Sequence, residues 1–392
     1  MDNLGILIKY EWKKLLQKKL VRVAILVVIL LQVFQNLSFL MQYYTSYISD
    51  EEGNVFQGAS RSGYEKLMDD KEDAKALDGR KLDDAMLEEM GEFYSKYSPR
   101  DKYAEMNSIV RVLSGAEKRE FTAEEMYGEI WKNNMKSSLE NFVLSEQEMG
   151  YWEEQMEKIE TPFTYHYAMA WETILNNQCV GTGMLLIMLL AVCLSGMFSE
   201  EGRLKTRQLI LCAKNGKTPA YLAKAVVGML FGFFGALVLY MISFGVQFYF
   251  LGTEGFHAVL QQDIVYSPYP ISVGEAVLIM FGLTVLIGIL ESMSAMVLSL
   301  VFHNSLAAMS VVAGLMMLTS FIYIPHRFRI LSWLWHFVPV GTLGTREFYD
   351  GRLFHFFGIY VSNLVFAPIL YSVVSLVLFW IGKRKYLKVQ TS

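Results

Sequence analysis

Six long apolar runs dominate the chain and constrain its fold more than any other feature. A hydrocarbon core about 30 Å thick is crossed by roughly 20 helical residues, so runs of this length predict transmembrane helices. Hydrophobic residues make up 53% of the 392 residues, and charged residues make up only 19%. We therefore predict an all-α integral membrane protein with six transmembrane helices. The runs are Leu20–Met41, Trp171–Phe198, Tyr221–Leu251, Ser272–Phe302, Ser305–Ile324 and Phe357–Ile381.

One polar stretch separates the first apolar run from the second. Residues 42–172 hold 29 of the 39 acidic residues but only 15 of the 35 basic residues. A Ser or Thr followed three residues later by Glu marks a helix start, because each side chain caps a backbone amide of the other residue. The stretch is therefore predicted to be a mostly α-helical domain of about five helices. Helix-start signals occur at Ser62-x-x-Glu65, Thr122-x-x-Glu125, Ser145-x-x-Glu148 and Ser98-Pro99.

The first 19 residues have the pattern of an amphipathic helix. Their apolar side chains fall on one helical face, with lysines elsewhere, which is typical of a helix that lies in the membrane interface. No small-residue cleavage site follows the first apolar run, so residues 1–19 are not predicted to be the start of a signal peptide. The apolar face comprises Leu4, Ile8, Trp12, Leu15 and Leu16.

The distribution of charge predicts the orientation of the chain. The N-terminus to Arg22, residues 199–224 and the C-terminal tail together carry 16 bases and 4 acids. Basic residues near membrane spans stay on the cytosolic side, so these segments and both termini are predicted to be cytosolic. Residues 42–172, with the opposite imbalance, are predicted to be extracellular. We expect a multi-pass protein of a bacterial cell membrane.

The segment from Ser195 to Lys224 is the most unusual of the polar connections. It begins with two acids, continues with six bases and contains a short apolar patch in between. This pattern suits a short helix that lies against another protein, and the alternative is that its bases only enforce the topology. We predict that residues 199–224 dock a soluble partner. The proposed docking residues are Glu200, Glu201, Arg207, Leu209, Ile210 and Leu211.

Four polar residues within the spans are candidates for the bundle interior or a translocation path. Gln32, Gln35 and Asn36 share one face of the first span, and Glu291 lies deep in the fourth. Polar and ionisable side chains are unfavourable in lipid, so they should face other helices or a cavity. Both interhelical packing and contact with a transported substrate remain open for these residues. Close helix approach is expected at Gly228, Gly232 and Gly235 of the third span.

No motif in the sequence predicts an enzyme. Gly216-Lys217-Thr218 resembles the end of a phosphate-binding loop, but Leu211 stands where the loop needs glycine. His326, His336 and His355 are all expected on the external side, yet their spacing predicts no metal site. The sequence also contains no catalytic Ser/His/Asp arrangement, no dinucleotide-binding loop and no basic face for nucleic acid. We predict no catalytic residues and no resident cofactor.

Taken in order, these features resemble an ABC-2-type permease, the membrane-spanning subunit of an ABC exporter. Residues 1–19 resemble the elbow helix of that family, and residues 325–357 resemble its external re-entrant helices. The segment 299–305 resembles the tight turn between the fourth and fifth spans. Residues 199–224 resemble the coupling loop, through Phe198-x-x-Glu201-Gly202, Gln208-Leu209-Ile210-Leu211 and Ala220-Tyr221-Leu222-x-Lys224.

The resemblance implies partners and a function. ATP and Mg²⁺ would bind to a separate ABC ATP-binding subunit, and a second copy or a homologous permease would complete a dimer in the lipid bilayer. The large insertion resembles a subgroup associated with sodium efflux or with export of peptides and antibiotics. We expect ATP-driven export of an amphiphilic, peptide-like or antibiotic substrate. Alternatives are ion efflux by the same family, a receptor or sensor with an extracellular ligand-binding domain, and an ion-coupled secondary transporter that uses Glu291.

Overall fold

The protein is a bundle of long helices with a helical insertion packed on one end. The computed structural model describes residues 2–42, 47–49, 55–57, 63–95, 102–115, 121–200, 217–356 and 358–388. Five helices are long and apolar enough to cross a membrane, which confirms an all-α, multi-pass membrane protein at this level. These candidate spans are Lys19–Ser38, Met169–Leu194, Thr218–Leu251, Val273–Phe302 and Asn363–Lys388.

The bundle is built from the helices that precede and follow the insertion. The second candidate span passes through one π-helical turn, Ile174–Gln178, between two α-helical parts. The bundle helices are α1 (Asp2–Gln17), α2 (Lys19–Gln42), α9 (Met169–Thr173), α10 (Cys179–Leu194), α11 (Thr218–Leu251), α12 (Val273–Phe302), α13 (Ser305–Phe321) and α15 (Asn363–Lys388). The connection before α15 contains α14 (Arg329–His336) and two 3-10 helices, Pro339–Thr342 and Thr345–Phe348.

The insertion contains a short strand pair followed by helices. The first antiparallel pair joins β1 (Tyr47–Ser49) to β2 (Val55–Gln57), and a second joins β3 (Leu353–Phe356) to β4 (Ile359–Ser362) before α15. A π-helical turn, Met126–Trp131, lies between the helices Ala123–Glu125 and Lys132–Glu140. The helices of the insertion are α3 (Gly63–Ala76), α4 (Asp84–Tyr94), α5 (Ala104–Leu113), α6 (Ala123–Glu125), α7 (Lys132–Glu140) and α8 (Glu146–Glu157).

The fifth predicted span is shorter in the structure than in the sequence analysis. The run Ser305–Ile324 forms α13, a helix of 17 residues that ends at Phe321. At 1.5 Å per residue it is about 25 Å long, which is less than a typical hydrocarbon core. The structure thus has five candidate spans among its described residues, and the sixth span remains a prediction.

The helix starts follow the predicted caps where the structure describes them. Thr122 with Glu125, and Ser145 with Glu148, form reciprocal capping boxes as expected. The signals at Ser62 and at Ser98-Pro99 lie outside the described residues. The predicted turn between α12 and α13 is also confirmed, since His303 adopts a left-handed conformation that ends α12.

Helix α12 is central to the bundle and packs against α10, α11, α13 and α15. Its contact with α11 is close because glycines face each other there. A Cβ on Gly232 would overlap the carbonyl oxygen of Gly288, and a Cβ on Gly288 would lie 2.9 Å from the carbonyl oxygen of Gly232. Small residues allow such backbone approach in membrane bundles. The predicted role of Gly232 in helix packing is therefore confirmed.

The insertion is joined to the bundle by buried aromatic side chains. Trp131 Nε1 donates to Val265 O at 2.7 Å, and Trp152 Nε1 donates to Gly351 O at 2.8 Å. Both indoles are fully buried, and one apolar core runs continuously from the insertion into the bundle. Because Val265 and Gly351 lie in connections between bundle helices, the insertion packs on one end of the bundle.

Candidate functional site

Helix α1 lies along α11 and is fixed there by an ion pair. Lys224 Nζ lies 3.0 Å from Glu11 Oε2, and the Lys224 side chain is only 1% exposed. The next residue of α1 is Trp12, and its ring packs edge-on against Phe231 and Phe234, with centroids 6.3 Å apart in both cases. The apolar face predicted for an interfacial helix therefore contacts α11 directly.

A second ion pair ties the end of α1 to the other side of the predicted docking segment. Lys18 Nζ, between α1 and α2, donates to the Glu200 carboxylate. Glu200 immediately precedes residues 201–216, and Lys224 follows them closely in α11. We call the Glu11–Lys224 and Lys18–Glu200 pairs the α1 clamp. The clamp attaches both flanks of the docking segment to α1 and to the residue that follows it.

Aromatic side chains join the same flanks to the last helix. The Phe198 and Tyr221 rings stack with centroids 5.8 Å apart, and the buried Tyr386 ring of α15 packs against both. Tyr221 Oη donates to Phe379 O at 2.6 Å. The two flanks of the docking segment, α1 and α15 thus meet at one end of the bundle.

Only one of the six predicted docking residues can be located. Glu200 is about one-third exposed and takes part in the α1 clamp. The other five predicted docking residues lie outside the described part of the chain, so their predicted role stays a prediction. These residues are Glu201, Arg207, Leu209, Ile210 and Leu211.

Two of the polar residues of the first span form a buried network between helices. Gln32 Nε2 donates to Thr182 Oγ1 at 2.8 Å and to Ser243 Oγ at 2.7 Å. Asn36 Nδ2 donates to the same Ser243 Oγ at 3.2 Å, and all four side chains are buried. The network joins α2, α10 and α11, which favours interhelical packing over substrate contact. Gln35 is separate, and its amide donates to Asn177 O at 3.3 Å.

Glu291 occupies a different part of the bundle from this network. Its side chain, 9% exposed, lines a cavity of about 200 Å³ between α12, α13, α15 and the 3-10 helix Pro339–Thr342. Ser294 is the other polar side chain there, and the remaining lining is apolar. None of Gln32, Gln35 and Asn36 lines the cavity. The four candidate residues therefore do not form one path.

A cluster that the sequence analysis missed lies in the connection before α15. His336 Nε2 is 2.7 Å from Glu347 Oε1 and 3.5 Å from Asp350 Oδ2, and both carboxylates are buried. Arg352 Nε donates to both oxygens of Asp350 at 2.8 Å. Burial alone would raise the pKa of Asp350, but the Arg352 hydrogen bonds outweigh it and the pKa lies below its ordinary value. We call His336, Glu347, Asp350 and Arg352 the outer cluster.

The three histidines expected on one side have different surroundings. His336 belongs to the outer cluster, and His326 lines a cavity of about 240 Å³ beside it. His355 is exposed on β3, with its ring 5.1 Å from the ring of Tyr360. The acids of the cluster lie 11 and 14 residues after His336, with two 3-10 helices in between. No local spacing in the sequence therefore indicated the cluster.

Comparisons with known proteins leave the family open. No protein-family model, curated protein or solved structure matches this chain. The resemblance to ABC-2-type permeases therefore rests on the residues quoted above.

Proposed function

We propose that this chain is the permease subunit of an ATP-driven ABC exporter. A separate ATP-binding subunit would bind ATP and Mg²⁺ and dock on residues 199–224. Two permease chains, identical or homologous, would form the transmembrane path. An amphiphilic, peptide-like or antibiotic substrate would move outward through them. The observation that carries this proposal is the α1 clamp.

The clamp supports docking because it makes the segment mechanically connected at both flanks. A loop that only joined two spans would need no attachment to a third helix. Here Lys224 is bound to Glu11 of α1 and Glu200 to Lys18, directly after α1, so a force applied to the segment reaches the bundle through the end of α1 and through α11. The Lys224 ammonium is buried, and losing the charge partner of a buried ion is strongly unfavourable.

Helix α11 offers a route from the docking segment to the other end of the bundle. Its 34 residues make a rod about 51 Å long, which exceeds the thickness of the hydrocarbon core. Lys224 lies near one end, and at the other end Tyr167 Oη donates to Leu251 O at 2.6 Å. Coupling also requires that the ATP-binding subunit contacts the segment differently in its two nucleotide states.

The proposed location is a bacterial cell membrane, with both termini and the docking segment in the cytosol. The excess of bases on those segments supports this orientation. It puts the insertion and the outer cluster outside the cell. Helix α13 is then the short fifth of six spans.

Ion efflux remains the alternative within the same family. The lining of the Glu291 cavity favours the amphiphilic substrate over an ion, because it offers one carboxylate and one hydroxyl among apolar side chains. Sodium has to be surrounded by several oxygen ligands, as other hard cations are. A flux assay with radioactive sodium in proteoliposomes distinguishes the two substrates.

Co-purification from the native membrane tests the docking role. The wild-type chain should bring down an ATP-binding subunit, and the double reversal Glu201→Lys/Arg207→Glu should abolish both this association and ATP-dependent transport. The matched control reverses two exposed charges of the insertion, Glu88→Lys/Lys132→Glu, and should change neither. If the reversal within the docking segment spared association and transport, the docking role would be wrong.

A further inference from the structure

We propose that the outer cluster is a binding site for a divalent transition metal ion of the zinc class. The proposed ligands are His336 Nε2, Glu347 Oε1 and Asp350 Oδ2. These three atoms all lie within 4.8 Å of one another. One imidazole with two carboxylates is a donor set that suits zinc and its neighbours, whereas calcium and magnesium prefer oxygen ligands alone.

The directions of the ligand atoms are the main reason for this proposal. His336 Nε2 and Glu347 Oε1 are 2.7 Å apart, yet neither atom has a hydrogen-bond partner among the described residues. Glu347 is fully buried, so solvent does not satisfy its free oxygen. Buried polar atoms are almost always hydrogen-bonded. Two such atoms that are close but misaligned for a bond with each other are both available to a third atom.

The distances within the cluster fit a small ion with a minor adjustment. Zinc–ligand bonds of 2.0–2.2 Å in tetrahedral geometry separate neighbouring ligand atoms by about 3.3 Å. The distance from His336 Nε2 to Asp350 Oδ2 is 3.5 Å, close to this value. The His336–Glu347 pair would have to open by roughly half an ångström to meet the same geometry.

Neighbouring side chains orient both carboxylates. Asn363 Nδ2 donates to Glu347 Oε2, which leaves Oε1 directed at His336. Tyr269 Oη in turn donates to Asn363 Oδ1 at 2.7 Å. Arg352 fixes Asp350 through both of its oxygens. Partners of this kind hold the ligands of metal sites in position.

The charge of the cluster also favours a cation. Two carboxylates and one guanidinium leave a net charge of −1 when His336 is neutral, which is the form that binds metals. The cavity beside the cluster, about 240 Å³, is lined by His336 and Asp350 and can supply a water ligand. His326 lines the same cavity, and its buried Nδ1 has no partner in the described part of the chain.

Metal binding by the full-length protein in nanodiscs tests the site without any transport assay. After treatment with a chelator, the protein is titrated with Zn²⁺ by calorimetry, and bound zinc is counted by elemental analysis. We expect about one ion per chain, with the affinity at least ~100-fold weaker in His336→Gln and Glu347→Gln. Asn363→Ala keeps all three ligands but removes the hydrogen bond that orients Glu347, together with those to Glu347 O and from Tyr269, and should weaken binding by about 10–100-fold.

Matched variants separate the site from other histidines. His355→Gln changes an exposed histidine of the same connection and should bind Zn²⁺ as the wild type does. Thermal unfolding without metal identifies variants that have lost the fold. If both ligand variants are unfolded, the Zn²⁺ affinity of Asn363→Ala tests the site. The proposal is overturned if the wild-type protein binds no Zn²⁺ at neutral pH. It is equally overturned if folded ligand or Asn363 variants bind Zn²⁺ as tightly as the wild type.

Discussion

Lys224 Nζ lies 3.0 Å from Glu11 Oε2, although the two residues are 213 positions apart in the chain. The pair joins the first helix of the chain to the beginning of α11, and the Lys224 side chain is buried beneath it. Removing water from an ammonium ion is costly, and a carboxylate in direct contact offsets this cost. The contact is therefore expected to matter for stability and for the connection between α1 and α11.

Loss of the Glu11 charge should weaken the bundle. Glu11→Gln leaves the buried ammonium without its carboxylate partner at this contact, and we expect the free energy of unfolding to fall by about 1.5–3 kcal/mol, as for a hydrogen bond to a charged group. Lys13→Met removes an exposed charge from the same helix and should have little effect. Thermal unfolding of the purified protein measures both. Exchange of the charges in Glu11→Lys/Lys224→Glu should recover part of the loss, and no recovery would argue against the ion pair.

The polar network between α2, α10 and α11 should stabilise the packing of these helices. Gln32→Leu removes the hydrogen bonds to Thr182 and Ser243. Hydrogen bonds between membrane helices contribute about 0.6–2 kcal/mol, so we expect a loss of this order. Gln35→Leu removes one longer bond and serves as the control. Equal unfolding temperatures for the Gln32 and Gln35 variants would contradict a special role for the network.

The glycine contact between α11 and α12 should not tolerate a methyl group. Gly232→Ala puts a Cβ against the carbonyl oxygen of Gly288, and we expect a loss of about 1–3 kcal/mol or failure to assemble. Gly245→Ala in the same helix has nothing within 4 Å of the added Cβ and should be neutral or slightly stabilising. Size-exclusion profiles and unfolding temperatures compare the two variants. Similar behaviour of both would mean that the helices separate more easily than the structure indicates.

Two substitutions of Glu291 separate a transport role from a packing role. Glu291→Gln keeps the size and the hydrogen-bonding capacity of the side chain but removes its charge, whereas Glu291→Leu makes the cavity fully apolar. If the carboxylate contacts a substrate, both variants should lower ATP-dependent transport with little change in the unfolding temperature. If it only packs helices, Gln should leave transport unchanged and Leu should lower assembly alone. Transport in proteoliposomes and the yield of assembled protein are the two measurements.

The stability of the protein should depend on pH through Asp263. Burial raises the pKa of Asp263 to about 6; the Glu105 carboxylate adds to this, and hydrogen bonds from Asn176 oppose it. A carboxyl with a raised pKa in the folded state stabilises the fold fully below its unfolded pKa, near 3.9, and this contribution is lost as the pH rises through 6.

Asp263→Asn tests this dependence because it removes the titration. At pH 8 the variant should be more stable than the wild type by about 1–3 kcal/mol, and at pH 4 the difference should vanish. Glu88→Gln, on an exposed face of α4, is the control and should follow the wild type at both values. Unfolding temperatures measured from pH 4 to 8 provide the comparison. A difference that stayed constant with pH would show that Asp263 is not the group responsible.

Features formed by residues close together in the sequence could be predicted, and those formed by residues far apart in the sequence could not. Ser145 and Glu148 are three residues apart, so their reciprocal hydrogen bonds belong to one helical turn and are visible in the sequence. Gln32 and Asn36 are one turn apart, so their shared face was also visible. Their partner Ser243 lies in another helix, and nothing in the local pattern identified it.

The outer cluster and the α1 clamp could not be predicted from local sequence patterns. His336 and Asp350 come together only because 3-10 helices reverse the chain between them. No local pattern pairs Glu11 with Lys224, because the contact between them is created only by the packing of α1 against α11. At α13 the apolar run is long enough to span a membrane, but the helix has only 17 residues. The length of the run therefore did not predict the length of the helix.

The buried tryptophans of the insertion have a practical consequence for imaging. Trp131 and Trp152 hydrogen-bond to connections between bundle helices, so helices α3–α8 cannot tilt freely relative to the bundle. An antibody fragment bound to the exposed face of these helices would therefore keep a fixed angle to the membrane. It would serve as an alignment marker in electron microscopy for a protein whose remaining mass is hidden in a micelle.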